Sequence, residues 1–418
     1  MVKVLDAREA SSKEIAAQLR RPGGFLSEKV RDDARRIVAD IRDRRDEALL
    51  EYTERFDGVR PDPVRVPPEE IREARNALDE GVEEAFYVAI ENVRFFHKRE
   101  LDRPFETSRK GATAGQRVRP IRRVGVYVPG GHGAYPSTLT MAAVPAQVAG
   151  VGEIAVCAPP RPDGRVSPHV LAVADLLGLH EVYRVGGAQA VGAMAHGTES
   201  IPPVSKIVGP GNDYVTAAKL EVFGVVGVDA PQGPSEVVVI AESGAFPKHV
   251  AYDLMAQAEH LSGASAVLLT PSAELIESVE PLLSGEPAQL ITLVQVQNAE
   301  QAVEIANLYA PEHAHVIFED DHEAIVQDLD AAGMVTVGDF SPVALGDYAA
   351  GPSHALPTGG TAFWASPLGT HDFTARTNYI HYTPEALAAI GPYVERLARL
   401  EGFENHARSV GVRLGKGE

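Results

Sequence analysis

A single cysteine, Cys157, stands in 418 residues. That excludes an intrachain disulfide and any zinc centre built on cysteine pairs. Long apolar runs are missing too. No stretch of 18 apolar residues occurs, and the N-terminus MVKVLDAREASSKE lacks the apolar segment of a secretory leader. A cytoplasmic protein with no membrane role is expected. Basic residues are scarce and mostly arginine, leaving a formal net charge of −19 and a pI near 5.2. Nucleic acids and anionic membranes need a basic face, so neither is an expected partner. There is no solenoid-period repeat and no low-complexity segment. The remaining composition, 44% hydrophobic and 23% charged, is that of a soluble globular protein, and the length implies two or more globular units.

The first hundred residues place apolar positions at helical spacing, as in SEKVRDDARRIVADIRDRRDEALLEYTERFDG, with Asp57-Gly58 as a stop. From Arg122 short β-rich runs alternate with Ala-rich helical runs. RVGVYV, EIAVCAPP, EVYRVGG, KIVGPG and GVVGVDA make one βαβα series, and SEVVVIAE, SAVLLT, QLITLVQV, HAHVIFE and MVTVG make a second. Helices are expected over 247–261 and 298–310. The expected fold is α/β, with two Rossmann-like parallel-sheet domains divided near PQGPSE and helical N- and C-terminal extensions. Residues 127–235 form the smaller, nucleotide-binding domain. Residues 25–126 and 236–375 form the larger one, and 1–24 and 376–418 a helical arm and tail. Residues 341–376, rich in Gly and Pro, read as a long loop of the kind that carries function. After it Thr383 and Pro384 open a terminal helix.

Three strand-to-helix turns, Gly130-Gly131, Gly186-Gly187 and Gly209-Pro210-Gly211, lie at carboxyl ends of strands, where parallel sheets bind ligands. None has G-x-G-x-x-G spacing, and each alone fits a tight turn. Three in succession point to a nucleotide, with Tyr127, Gln189 and Asn212 in or beside them. Gln257 and His260, at i and i+3, fit ordinary helix packing as well as metal ligation. Asp347 and His354 in LGDYAAGPSHALPT, and Glu401 and His406 in LEGFENHARS, equally fit loop and helix-surface roles. Two His, one Asp and one amide oxygen would suit zinc or a similar divalent ion. In YAPEHAHV, Pro311 ends a helix, and Glu312 and His313 stand together at the mouth of an apolar strand.

The ordered motifs GVYVPGG, YPST, GGAQAV, KIVGPGN, YVTAAK, GPSEV, QAEH, YAPEH, LGDYAAGPSH and LPTGGTA resemble the histidinol dehydrogenase family over nearly the whole chain. The resemblance implies an aldehyde/histidinol dehydrogenase-like fold. It also implies an NAD+-dependent enzyme that oxidises L-histidinol through L-histidinal to L-histidine, the end of histidine biosynthesis. By the same resemblance, Gln257, His260, Asp347 and His406 hold one Zn2+ per subunit, and Glu312 and His313 are the acid–base pair. Ser235, His354 and Glu401 contact the substrate beside His313 and the four ligands, and Tyr127, Gln189 and Asn212 contact NAD+. A homodimer is implied, in which the tail crosses to the partner and Glu401 and His406 complete shared sites. Gln232, Ser353, Phe363-Trp364 and Thr370-His371 depart from the commoner family wording. They leave room for an alternative, a same-scaffold NAD-dependent dehydrogenase of another polar alcohol.

Oxidising a primary alcohol to an acid sets two proton problems. An imidazole, with a pKa of roughly 6.5, accepts the hydroxyl proton near neutral pH. The aldehyde must then be hydrated before a second hydride can leave, and a carboxylate can activate that water. His313 is therefore expected to act as base in both oxidations and Glu312 as water activator. Cys157 follows the apolar run EIAV and reads as core, which disfavours a thioester route. The metal is expected to position the substrate by chelating its amine and an imidazole nitrogen.

Overall fold

A computed structural model describes residues 2–20, 26–130, 133, 135–230, 232–260, 263–320 and 322–415. Gly131 of the first glycine turn, residues 21–25 at the expected arm boundary, Leu261 at the expected helix end and residues 416–418 of the tail lie outside the described residues. The chain divides into two compact units, Met1–Glu100 with Ile121–Phe373, and Leu101–Pro120 with Thr374–Glu418.

The strands, in chain order, are β1 (Lys3–Asp6), β2 (Phe105–Arg109), β3 (Ala112–Pro120), β4 (Arg123–Tyr127), β5 (Glu153–Cys157), β6 (Val182–Tyr183) and β7 (Lys206–Val208). They continue as β8 (Gly227–Val228), β9 (Glu236–Ala241), β10 (Ser265–Thr270), β11 (Ile291–Gln295), β12 (His313–Ile317), β13 (Met334–Val337) and β14 (Thr374–Tyr382). In the first unit two parallel sheets form, ordered β6-β5-β4-β7-β8 and β1-β11-β10-β9-β12-β13. The inner strands are covered on both faces, so EVVVIA, SAVLLT and HAHVI are nearly continuous buried runs rather than alternating ones. This is the two-sheet α/β fold expected from the two βαβα series.

The grouping of the N-terminal segments differs from expectation. β1 is the edge strand of the six-stranded sheet, pairing Lys3 with Thr292 through Asp6 with Gln295, and helix Ser12–Leu19 packs on helix Ala299–Tyr309. Helices Glu28–Arg44, Pro68–Asn76 and Glu80–His97 pack on helices that cover the five-stranded sheet, not on those of the larger sheet. β4, which spans the expected boundary at 126/127, belongs wholly to the five-stranded sheet. An amphipathic pattern shows that a helix face is buried; it does not show which sheet buries it.

The second unit is an antiparallel sheet, β14-β3-β2, followed by helices Pro384–Leu400 and Glu404–Gly411. Thr383 caps the first of these, its Oγ1 accepting from Ala386 N at 3.2 Å, as the sequence suggests. Among the described residues no helix is long and apolar enough to cross a membrane.

Candidate active site

Helix Ala299–Tyr309 stops at Ala310, whose left-handed backbone (φ 54°) leaves no helical continuation, and Pro311 follows. The chain therefore turns within three residues from helix to β12 and delivers Glu312 and His313 to the amino-terminal edge of the six-stranded sheet. Both are buried. Glu312 Oε2 accepts from Glu236 N at 2.9 Å, at the start of the neighbouring β9, and from Gln257 Nε2 at 3.3 Å. Burial pushes the Glu312 carboxyl well above the usual range; the Glu236 N–H opposes this, and the charges of Glu236 and Asp347 add to it. Glu236 is itself pushed up by burial to about 7, against the N–H that Gly359 donates to it at 3.1 Å. Ser235 lies one residue earlier on the same edge, part-buried, its carbonyl accepting from Ser265 N at 3.0 Å.

His313 Nε2 stands 3.6 Å from Asp347 Oδ1, and its Nδ1 is buried with no partner. Burial draws this imidazole down to about 3, with His354 and His260 adding to the effect. At neutral pH the contact therefore joins an uncharged ring to a carboxyl and is not an ion pair. Asp347 is raised to about 6 by burial. It sits on a short helix, Val343–Tyr348, rather than in the expected loop. The loop after it brings His354 back, and His354 Nδ1 donates to the Asp347 carbonyl at 2.7 Å. That bond fixes the tautomer and leaves Nε2 as the free acceptor. Burial lowers His354 to about 4, so it too is neutral at pH 7.

Gln257 ends the buried face of helix Pro247–Ala258. His260 lies on the turn just beyond, not on the helix as expected, and is exposed. With the Gln257 amide nitrogen on Glu312, its carbonyl oxygen is the atom left for a ligand. Gln257, His260 and Asp347 thus offer an amide oxygen, an imidazole and a carboxylate, donor chemistry suited to zinc. Glu401, the C-cap of helix Pro384–Leu400, and His406, whose ring lies 5.2 Å from that of Phe403, are exposed on the second unit. Among the described residues no three His, Cys, Asp or Glu side chains come close enough to hold a metal ion. The four expected ligands are thus divided between the units, three on the first and one on the second.

A cleft of about 1030 Å³ opens at the carboxyl ends of β4, β5 and β7, and Tyr127, Gln189 and Asn212 all line it. Tyr127 Oη accepts from Gly187 N at 3.1 Å, tying the first strand to the second glycine turn. Asn212 caps helix Asp213–Val222, its Oδ1 accepting from Tyr214 N and Val215 N, each at 3.1 Å. Gln189 is buried, yet neither its Oε1 nor its Nε2 has a partner. A side-chain carbon added at Gly130 or Gly186 would strike Pro159, and one at Gly209 would strike the Tyr127 carbonyl oxygen. An orphaned amide above a floor that only glycine permits fits a dinucleotide.

The histidinol dehydrogenase family model matches residues 23–414. Histidinol dehydrogenase of Geobacillus kaustophilus is 46% identical over 396 residues, 91% of this chain and 93% of that protein. Histidinol dehydrogenase of Methanothermobacter thermautotrophicus is 45% identical over 392 residues, 90% and 92% of the two chains. The crystal structure of histidinol dehydrogenase from Elizabethkingia anophelis superposes with a TM-score of 0.93 at 32% identity, covering 99% of this chain and 98% of that one. The chain belongs to the histidinol dehydrogenase family. It is an oxidoreductase of histidine biosynthesis with that family's fold.

Four side chains beside these sites escape a reading of the sequence. Glu236 follows Ser235 in GPSEV, and only the pairing of β9 with β12 sets it against Glu312. Asp57, read as part of a helix stop, lines the cleft at the ends of β4, β5 and β7 with a buried, unpartnered Oδ2. Asp253 and His315 form a buried pair at 2.5 Å. A signal existed for that pair: Asp253 lies one helical turn before Gln257, and His315 two residues after His313 on the same strand face. The departure at Ser353 is occupied by packing, its Oγ donating to the Met141 carbonyl at 3.1 Å.

Proposed function

We propose that the protein catalyses the NAD+-dependent, four-electron oxidation of L-histidinol through L-histidinal to L-histidine, as a cytoplasmic homodimer carrying one Zn2+ per subunit. Glu312 and His313 act as the acid–base pair. Gln257, His260, Asp347 and His406 hold the metal, and Ser235, His354 and Glu401 contact the substrate. Tyr127, Gln189 and Asn212 line the site of NAD+. NAD+ held beside Tyr127, Gln189 and Asn212 would supply the hydride acceptor for each oxidation, and zinc held by Gln257, His260, Asp347 and His406 would supply an anchor for the substrate's nitrogen donors.

The chain's own residues handle the protons. His313, which burial holds neutral and draws below the 6.5 that makes a free imidazole a base near pH 7, takes the hydroxyl proton with the help of a carboxylate that stabilises the imidazolium, and Asp347 Oδ1, 3.6 Å from Nε2, is placed to supply it. Glu312 takes the proton of the water that adds to the aldehyde. Its Oε2 already accepts two N–H donors, so Oε1 is the oxygen free to receive it. His313 then serves the hydrate as it served the alcohol. Work of this kind contributes roughly 10²–10⁴ in rate. His354 Nε2, with Nδ1 locked on Asp347, accepts from a polar group of the substrate.

The observation that carries the reading is the burial of adjacent Glu312 and His313 against Asp347 and Gln257 in a chain of this family. Support for a homodimer comes from the second unit, whose Ile380, Tyr393 and Leu400 are 75%, 66% and 81% exposed. The decisive experiment counts NADH formed per histidinol consumed. Two is expected. One would leave an alcohol dehydrogenase that stops at the aldehyde, and none would remove histidinol as substrate in favour of another polar alcohol.

A further inference from the structure

The helix that Asn212 caps carries Lys219 on its buried side, and Asp229 follows β8 directly. The two form an ion pair, 4% and 7% exposed. They also meet at a third residue, Gly209. Lys219 Nζ donates to the Gly209 carbonyl at 2.9 Å, and Asp229 Oδ2 accepts from Gly209 N at 2.7 Å. Gly209 is thereby held on both its polar groups, at φ 114°, a backbone state that favours glycine. It lies against the Tyr127 carbonyl, and Tyr127 in turn receives the Gly187 N–H. Pro210 and Gly211 lead from Gly209 straight to Asn212.

A buried ion pair is seldom a net gain in stability, because desolvation takes back what attraction gives; apolar residues of similar volume hold a fold as well or better. What an apolar pair lacks is a donor for the Gly209 carbonyl and an acceptor for its N–H. Two of the proposed NAD+ contacts, Tyr127 and Asn212, depend on where that turn sits, and the third, Gln189, begins on a different turn.

We infer that Lys219 and Asp229 are positioning residues for the dinucleotide, clamping the Gly209 turn so that Tyr127 and Asn212 are preset for binding. This rests on reading the cleft as the NAD+ site. Neither residue lines the cleft, and neither belongs to the acid–base or metal group.

The test replaces both charges together, Lys219→Met with Asp229→Leu, since removing one alone would leave a buried charge uncompensated. NAD+ binding is measured by calorimetry without substrate, beside thermal unfolding and zinc content. The double variant should fold and keep its zinc, its unfolding temperature lowered by the several degrees that two unpaired backbone groups cost, yet bind NAD+ at least about tenfold more weakly, the scale of one or two lost positioning hydrogen bonds. Its KM for NAD+ should rise while that for histidinol holds. Unchanged NAD+ affinity overturns the clamp and spares the cofactor reading; a parent that binds no NAD+ overturns both. Hydrogen exchange on the parent supplies a reading that needs no variant. The Gly209 amide should exchange more slowly than those of Gly211 and Asn212, and equal rates would overturn the clamp.

Discussion

At Glu312 two N–H donors share one carboxyl oxygen, while at His313 one ring nitrogen has no partner and the other faces Asp347. The asymmetry separates the two residues' work. Replacing His313 by Asn should lower alcohol oxidation by roughly 10²–10⁴ while leaving zinc content unchanged. Replacing Glu312 by Gln keeps an acceptor for both donors, so the local structure should hold. The loss should then fall on histidinal oxidation, assayed separately, more than on the first step. Equal losses in both assays would contradict the division of labour. Asp57 gives a residue-scale prediction about stability. Burial raises its carboxyl to about 6, above an unfolded value of about 3.9. Between those values the folded protein binds more protons than the unfolded chain, so stability falls as pH rises through the window. Asp57→Asn should therefore stabilise the cofactor-free protein at pH 7 by about 1–2 kcal/mol, allowing for solvent screening of a partly exposed group. The gain should vanish below about pH 4 in unfolding curves; a gain independent of pH would refute the assignment.

Among the elements, helix Pro247–Ala258 does most to arrange the site, because two of its residues one turn apart grip β12. Gln257 reaches Glu312, and Asp253 reaches His315, whose other nitrogen donates to the Gly338 carbonyl at 3.0 Å just past β13. His315 thus ties the helix bearing Gln257 to the segment leading to Asp347. Asp253→Ala should cost about 3–5 kcal/mol in denaturant unfolding by stranding a buried partner, and zinc affinity should weaken with it. Asp253→Asn, which keeps an acceptor, should recover most of both. Loss of stability with undiminished zinc affinity would mean that the pair serves the fold alone. The sequence discloses such elements unevenly. β9, β10 and β12 are legible because burial on both faces writes an unbroken apolar run, and Glu312-His313 is legible because the two are neighbours. β2, exposed at every position, and β14, exposed or part-buried throughout, carry no such run. β14 is paired with β3 by backbone hydrogen bonds to residues about 260 positions earlier, so along the sequence it reads as loop and tail. Asp253 and His315 are 62 residues apart; their spacings from Gln257 and His313 put each beside the site, and only the packing of helix on strand makes them meet.

On the scale of the whole molecule, the second unit sets how the site is completed. It carries Glu401 and His406, both exposed, together with a run of exposed apolar side chains. If each tail completes the site of its partner, one protomer's Glu312 and the partner's His406 belong to the same centre. Two damaged chains can then repair each other. As homodimers, a Glu312→Gln chain and a His406→Asn chain should each form little histidine from histidinol, the first because its histidinal step fails and the second because its metal site is broken. Mixed after reversible dissociation, half of the dimers are heterodimers, and each holds one site with intact Glu312 and intact His406. Activity should return to roughly a quarter of the parental value. If the tail folds onto its own subunit, every site in the mixture retains one lesion and no activity returns. The same mixture made with Glu312→Gln and His313→Asn chains is the control. Both lesions then lie on the first unit, and swapping tails cannot separate them, so recovery there would show chain exchange of another kind and remove the shared-site reading.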